Sequence, residues 1–226
     1  MTDLFFSTPF FGLAISILCW CFAGWLQKKT GLLVCNPVLV TSLLVIGVML
    51  VFHIPLEHYN AGGSIIKLML GPATAVLALN IYQQRKVLQE HFLPVLLGCL
   101  AGSLASIACV LVLCKVLQAD PVFTASMLPK SVTTAIALGI SENGGGIGGI
   151  TAAAVVITGV EGAMLAPLFA KVFHITDPVA EGVAIGACSH AVGTSKAMEI
   201  GALQGAMSSI AICVCGIITS VLVLFL

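Results

Sequence analysis

The sequence predicts an all-α, polytopic membrane protein with about eight membrane segments, several of them discontinuous or re-entrant. Three observations lead there. Apolar residues make up 59% of the 226 and charged residues only 8%. Mean hydropathy is +1.16. Four apolar runs contain no Asp, Glu, Lys, Arg or His: Pro9–Leu26, Leu32–Phe52, Phe92–Cys114 and Gly205–Leu226. A soluble domain carries roughly 25% charged residues, so this chain has too few to cover a water-facing surface. Disorder is excluded by the same hydrophobicity. Lys plus Arg and Asp plus Glu both total 9, so there is no net charge and no basic patch for nucleic acid.

The first run is expected to be a retained helix. It follows Met1-Thr2-Asp3-Leu4, which lacks the basic start of a signal peptide, and Lys28-Lys29 come after it. Four further apolar segments are interrupted: Ile65–Tyr82, Val122–Ile140, Ile150–Phe173 and Ala180–Ala202. The longest polar connection, His53–Ser64, leaves no room for a soluble domain. The whole chain, 1–226, is therefore expected to be one integral membrane domain. Its first half is 1–118, and its second half, 119–226, carries broken helices. Lys28-Lys29 and Arg85-Lys86 fall on one side, which places them in the cytoplasm and the N-terminus outside. The nine cysteines lie mostly inside apolar runs and are expected to pack as small hydrophobes. No His or Cys pair has ligand spacing, so neither metal nor cofactor is expected.

The interruptions carry the functional signal. Helix breaks are expected at Gly71 and Pro72, at Pro129, and at Gly193. Each is followed by hydroxyls: Thr74 after the first, Ser131, Thr133 and Thr134 after the second, and Thr194 and Ser195 in the third, with Ser189 just before it. In lipid, a break survives only where it is buried in protein or lines a wet cavity. A half-helix starting there turns free N–H groups and its positive dipole end into that cavity, which suits an anion. Lys130 follows Pro129 and adds a fixed charge. Other ionisable residues inside segments are Glu161, His190, Lys196 and Glu199. Lys196 and Glu199 stand three apart and are expected to form an ion pair. Glu161, His190 and Glu199 are the candidates for coupling to a proton or sodium ion. Gly71–Ile81 aligns without gaps on Lys130–Ile140 with identities at Thr74, Ala78, Leu79 and Ile81, a candidate internal repeat.

The run Ser141–Gly149 is rich in glycine but lacks the lysine and the strand context of a phosphate loop. It is expected to be a flexible connection, a re-entrant loop or a hinge. Ser189 and His190 are adjacent, a poor arrangement for a nucleophile and its base, so no catalysis is expected.

These motifs carry a resemblance. Leu70–Ala78, Leu128–Ala137 and Gly186–Glu199, with weaker matches at Gly205–Ser209 and Gly216–Thr219, resemble the LrgB/CidB family of membrane proteins. That family includes bacterial antiholin-like proteins and the chloroplast glycolate/glycerate translocator. This chain departs from the family at Asn80, Ala135 and Gly148, where proline is usual. The resemblance implies either transport of small organic acids such as pyruvate, glycolate or glycerate, or a holin/antiholin-like role in murein hydrolase control and lysis. The second role implies a small partner membrane protein. The residues themselves favour a carrier, since a simple pore has no need of hydroxyl-lined breaks with buried cations. Lys130, Ser131, Thr133, Thr134, Ser189, Gly193, Thr194 and Ser195 would hold the carboxylate, with Thr74 on the facing side. A homodimer is expected for so small a chain.

Overall fold

A computed structural model describes residues 8–31, 35, 37–83 and 85–226, with backbone alone at Leu70, Ala73, Thr74, Leu77, Ala78, Asn80 and Ile81. The described residues are mostly helical, with no strand among them. The helices are α1 Pro9–Thr30, α2 Pro37–Val51, α3 Leu56–Leu68, α4 Leu70–Gln83, α5 Arg85–Glu90, α6 Phe92–Val116, α7 Pro121–Met127, α8 Thr134–Asn143, α9 Gly148–Val172, α10 Pro178–Ile200 and α11 Ala202–Val223. Four of them, α1, α6, α9 and α11, are long and apolar enough to cross a membrane. The contacts divide the chain into two compact units, Met1–Thr74 and Ala75–Leu226.

In the first unit, α1 and α3 approach closely at glycine. A Cβ on Gly62 would sit 2.8 Å from Gly12 Cα, so neither position has room for a side chain. Ser16 Oγ and Tyr59 Oη share a hydrogen bond of 3.0 Å beside this contact. The residues 56–64, expected to be a polar connection, are instead the body of α3. The expected break at Gly71 and Pro72 is also displaced. The chain breaks at Met69, and Gly71-Pro72 lie inside the first turn of α4. A proline there removes an N–H that has no intrahelical acceptor, so the helix proceeds.

The second unit is built on α6, α9, α10 and α11. One core joins Val95 and Cys99 of α6, Val183 and Ala187 of α10, and Met207, Ile210, Ala211 and Cys215 of α11. Lipid gives helices no hydrophobic reason to associate, so small residues that allow close approach become the packing device. Gly182 and Gly186 of α10 lie directly on α11, and a Cβ on Gly186 would stand 2.8 Å from Ala211 Cβ and 2.9 Å from Ser208 Cα. A second cluster joins Ile107, Val110 and Cys114 of α6 to Leu128. All nine cysteines are free, and Cys99, Cys114, Cys213 and Cys215 are buried in these contacts. Two helices begin alike: Asp120 caps α7 by accepting from Val122 N–H at 2.7 Å, and Asp177 caps α10 by accepting from Ala180 N–H at 2.8 Å.

Gly186→Val will therefore lower the thermal unfolding midpoint of the detergent-purified protein, by the ~1–3 kcal/mol typical of overpacking. Gly24→Val, where an added Cβ meets nothing within 4 Å, will leave the midpoint unchanged. Equal midpoints for the two variants would contradict the α10–α11 packing.

Candidate functional site

Pro129 has no N–H and biases the residue before it away from helix. Between Met127 and Thr134 the chain runs as turns, with Pro129 fully buried. Lys130 lies at this turn, half-buried. Its Nζ donates to Ser131 Oγ at 3.5 Å, and Ser131 Oγ pairs with Ser106 Oγ of α6 at 2.7 Å. Among the described residues no carboxylate lies within ion-pair distance of Lys130. Thr133 occupies the N-cap of α8 but its hydroxyl makes no capping bond. It is 8% exposed, and its Oγ1 has no partner. A buried hydroxyl left without a partner costs about 1–3 kcal/mol. The first-turn N–H groups of α8 also lack intrahelical acceptors. An ammonium, an unsatisfied hydroxyl and a helix N-terminus thus stand together.

The third expected break is corrected. Gly193 is helical; the departure falls at His190, with φ 41° and ψ −141°. His190 is buried, its Nε2 donates to the Val155 carbonyl of α9 at 2.8 Å, and its ring lies against Gly159, where a Cβ would come within 2.7 Å of Nε2. Glycine at 159 is what admits the imidazole. Val155 also packs with Val132 and Ala137, so the turn after Pro129 and the departure at His190 touch the same residue.

The remaining expected residues separate. Thr194 Oγ1 donates to the His190 carbonyl at 3.0 Å or shares a bond with Ser208 Oγ at 2.7 Å, so it is engaged inside the fold. Ser195 is exposed and donates to Ala191 O at 3.3 Å. Neither hydroxyl is bonded to Lys130 or Ser131. Lys196 and Glu199 form the expected ion pair at 2.8 Å, with Glu199 65% exposed. Ser189 is 1% exposed and lines a cavity of about 270 Å³ between α9 and α10 with Thr158, Glu161, Cys188 and, toward the other end, Glu181. Glu161 itself is exposed midway along α9. Thr74 lies in α4, and its side chain is outside the described residues. The candidate repeat of 71–81 on 130–140 also fails: the first stretch is helix throughout, the second begins as turns.

The glycine-rich run is pinned rather than free. Ile147 N–H donates to Ser126 Oγ at 2.7 Å, and Gly146 N–H donates to Ser141 O at 2.7 Å. Thr151 Oγ1 lies 2.6 Å from Ser141 Oγ and 3.0 Å from the Ser126 carbonyl. A Cβ on Gly146 would stand 2.9 Å from Ser126 N. Sequence reasoning missed this hydroxyl knot and missed Ser106, because single Ser and Thr residues in apolar helices carry no local signal.

Four long apolar helices and a second unit organised around buried hydroxyls and one lysine define an integral membrane protein, in bacteria one of the plasma membrane. The chain belongs to the LrgB family: the model of the LrgB-like family matches residues 16–226. It is 38% identical over 213 residues to the antiholin-like protein LrgB of Bacillus subtilis (strain 168), covering 94% of this chain and 92% of that one. It is 36% identical over 217 residues to proteins of the same name from Bacillus mycoides (strain KBAB4) and Bacillus cereus (strain B4264), covering 96% of this chain and 94% of each. No solved structure matches the chain.

Ser126→Ala removes the acceptor of the Ile147 N–H and will destabilise the detergent-purified protein by about 1 kcal/mol. Thr151→Ala will do the same, and the double variant will lose less than the sum, since both act on one knot. Additive losses in thermal unfolding would show that the hydroxyls do not act together.

Proposed function

We propose that this chain is an antiholin-like membrane protein that restrains murein hydrolase activity and lysis. The reading rests on the shared name of its full-length relatives. It is tested by expressing the chain in a bacterium lacking its own relative. Detergent-triggered autolysis will slow several-fold; an unchanged lysis curve overturns the reading.

A second reading is favoured by one specific observation: the unpartnered Thr133 hydroxyl, buried at a helix N-terminus beside Lys130. In this reading the protein is a secondary carrier of small monocarboxylates such as pyruvate, glycolate or glycerate. The carboxylate accepts from Thr133 and from the first-turn N–H groups of α8 and is neutralised by Lys130. Ser131, held by Ser106, positions the ammonium. Of the three coupling candidates, Glu161 fits best. Glu199 already has Lys196, and His190 holds the backbone between α9 and α10. Glu161 stands in mid-helix at the edge of a cavity, and an ionisable group placed inside a span is the usual mark of an ion or proton pathway. A homodimer and a small partner membrane protein belong to the same proposal and await cross-linking in native membranes.

Purified protein in proteoliposomes will take up labelled pyruvate or glycolate. Lys130→Met will reduce uptake at least ten-fold while eluting as folded protein in detergent. Undiminished uptake by that variant removes the carboxylate assignment.

A further inference from the structure

A repeat that the composition hides is visible once the helices are laid out. The helices α6 and α9 each have 25 residues. Each has a lysine as its penultimate residue, followed three positions on by a residue of positive φ: Lys115 and Gln118 at 51°, Lys171 and His174 at 53°. Each is then followed by Asp-Pro-Val, Asp120–Val122 and Asp177–Val179, with the aspartate capping the next helix. The lysines and positive-φ residues are related by a shift of 56 positions and the Asp-Pro-Val motifs by a shift of 57, and the latter carries Thr133 onto His190 and Asn143 onto Ile200. Thr133 and His190 are the residues that precede the second arm of each segment.

Both segments fold back on themselves. Gly186 and Thr194, four residues either side of His190, both lie against Ser208. Gly182 and Met198, eight residues either side, lie against Gln204 and Gly205. In a straight helix Gly182 and Met198 would stand about 24 Å apart along the axis, so Ala191–Ile200 must return beside Pro178–Ser189. In the first segment Thr151 bridges Ser126 and Ser141, which lie on opposite sides of the turn after Pro129. The turn at Ser131 reaches Ser106, near the middle of α6, and His190 reaches Val155 and Gly159, near the middle of α9. The open end of the first hairpin lies at the start of α9, through the Ile147–Ser126 bond, and at the end of α6, where Thr124 and Gly144 share a cavity with Lys115. The open end of the second lies at the far end of α9, where Phe169 and Ile175 share a cavity with Glu181. The hairpins therefore enter from opposite ends of α9.

We propose that residues 92–143 and 148–200 are two copies of one membrane unit inserted in opposite directions, whose half-depth hairpins meet at Val155 and form a single central site served from both faces. Each hairpin turns the N-terminus of its second arm toward the meeting point, Thr134 in one and Ala191 in the other. The unpartnered Thr133 hydroxyl marks the side a ligand completes. The inference rests on the carrier reading for the identity of the occupant, a small carboxylate.

The test is sidedness in the full chain. Single cysteines are placed at Gln118, Asn143, His174 and Ala202 in a background freed of the native cysteines. A membrane-impermeant maleimide is then applied to right-side-out and inverted vesicles. Positions 118 and 143 will label from one face, and 174 and 202 from the other. Labelling of 118 and 143 from opposite faces overturns the proposal, because a full crossing then separates them. Should the cysteine-free chain fail to fold, epitope insertions at the same four sites in the native chain, read with antibodies, separate the same two outcomes. In the wild-type chain, native Cys188 beside the second tip, followed by peptide mass, will react with a small charged methanethiosulfonate added at either face. Pyruvate will slow that reaction several-fold. Reaction from one face alone overturns two-sided access. Reaction from both faces with no effect of pyruvate supports the architecture and removes the carboxylate occupant.

Discussion

In hydrocarbon every backbone N–H and C=O must find its partner within the protein, and this single constraint organises the second unit. Two departures from helix, at 128–133 and at His190, bring non-helical backbone against the middle of α6 and α9. They persist because each is enclosed. Pro129, Val132 and Thr133 are buried, and His190 commits its ring nitrogen to the Val155 carbonyl. Val155 is consequently the residue on which both departures close, and it is wholly buried although it offers only an aliphatic side chain and one carbonyl. The small residues follow from the same need. Gly159 leaves space for the imidazole, and Gly182 and Gly186 let α10 lie on α11.

Rigidity and openness are distributed unevenly around this centre. Ser126, Ser141 and Thr151 bind α7, α8 and the start of α9 into one body through short bonds, those of Thr151 to Ser126 and Ser141 buried. Within this run Gly146 therefore serves close approach to Ser126, and Gly145 at φ 77° makes the turn. The α9–α10 side is looser: it holds a cavity of about 270 Å³, lined by Ser189 from one helix and Glu161 from the other. A structure that is tied on one side of its centre and open on the other has a built-in difference between the part that stays and the part that yields.

How far the sequence disclosed this depends on which residue carries each feature. Membrane class follows from bulk composition, which no local accident can mask. The turn after Met127 is written in proline chemistry, because a missing N–H and a ring clash act wherever the residue sits. The Lys196–Glu199 pair needs only helical spacing. The departure in α10 was hidden. A positive φ is ordinarily glycine's, and Gly193 stands close by, yet His190 adopts it because its ring is held by Val155, a contact 35 residues away. Pro72 misleads in the opposite way, since a proline in a first turn obeys the same chemistry without breaking anything. Ser106 and Thr151 gave no sign, because a hydroxyl in an apolar helix ordinarily bonds its own preceding turn.

The internal repeat shows why alignment within a biased composition misdirects. Ala, Leu and Ile recur so often that four identities between 71–81 and 130–140 link a continuous helix to a turn. The pair that shares geometry, 92–143 and 148–200, has its clearest identity in Asp-Pro-Val, and those residues are kept by capping chemistry: a carboxylate for the first free N–H groups and a ring that needs none. Direction then resolves itself. Counted as full crossings, 121–143 and 178–200 each reverse the sense of everything after them. Counted as hairpins they reverse nothing, so α6, α9 and α11 alternate. The units 92–143 and 148–200 then stand in opposite senses, the relation a two-faced central site requires.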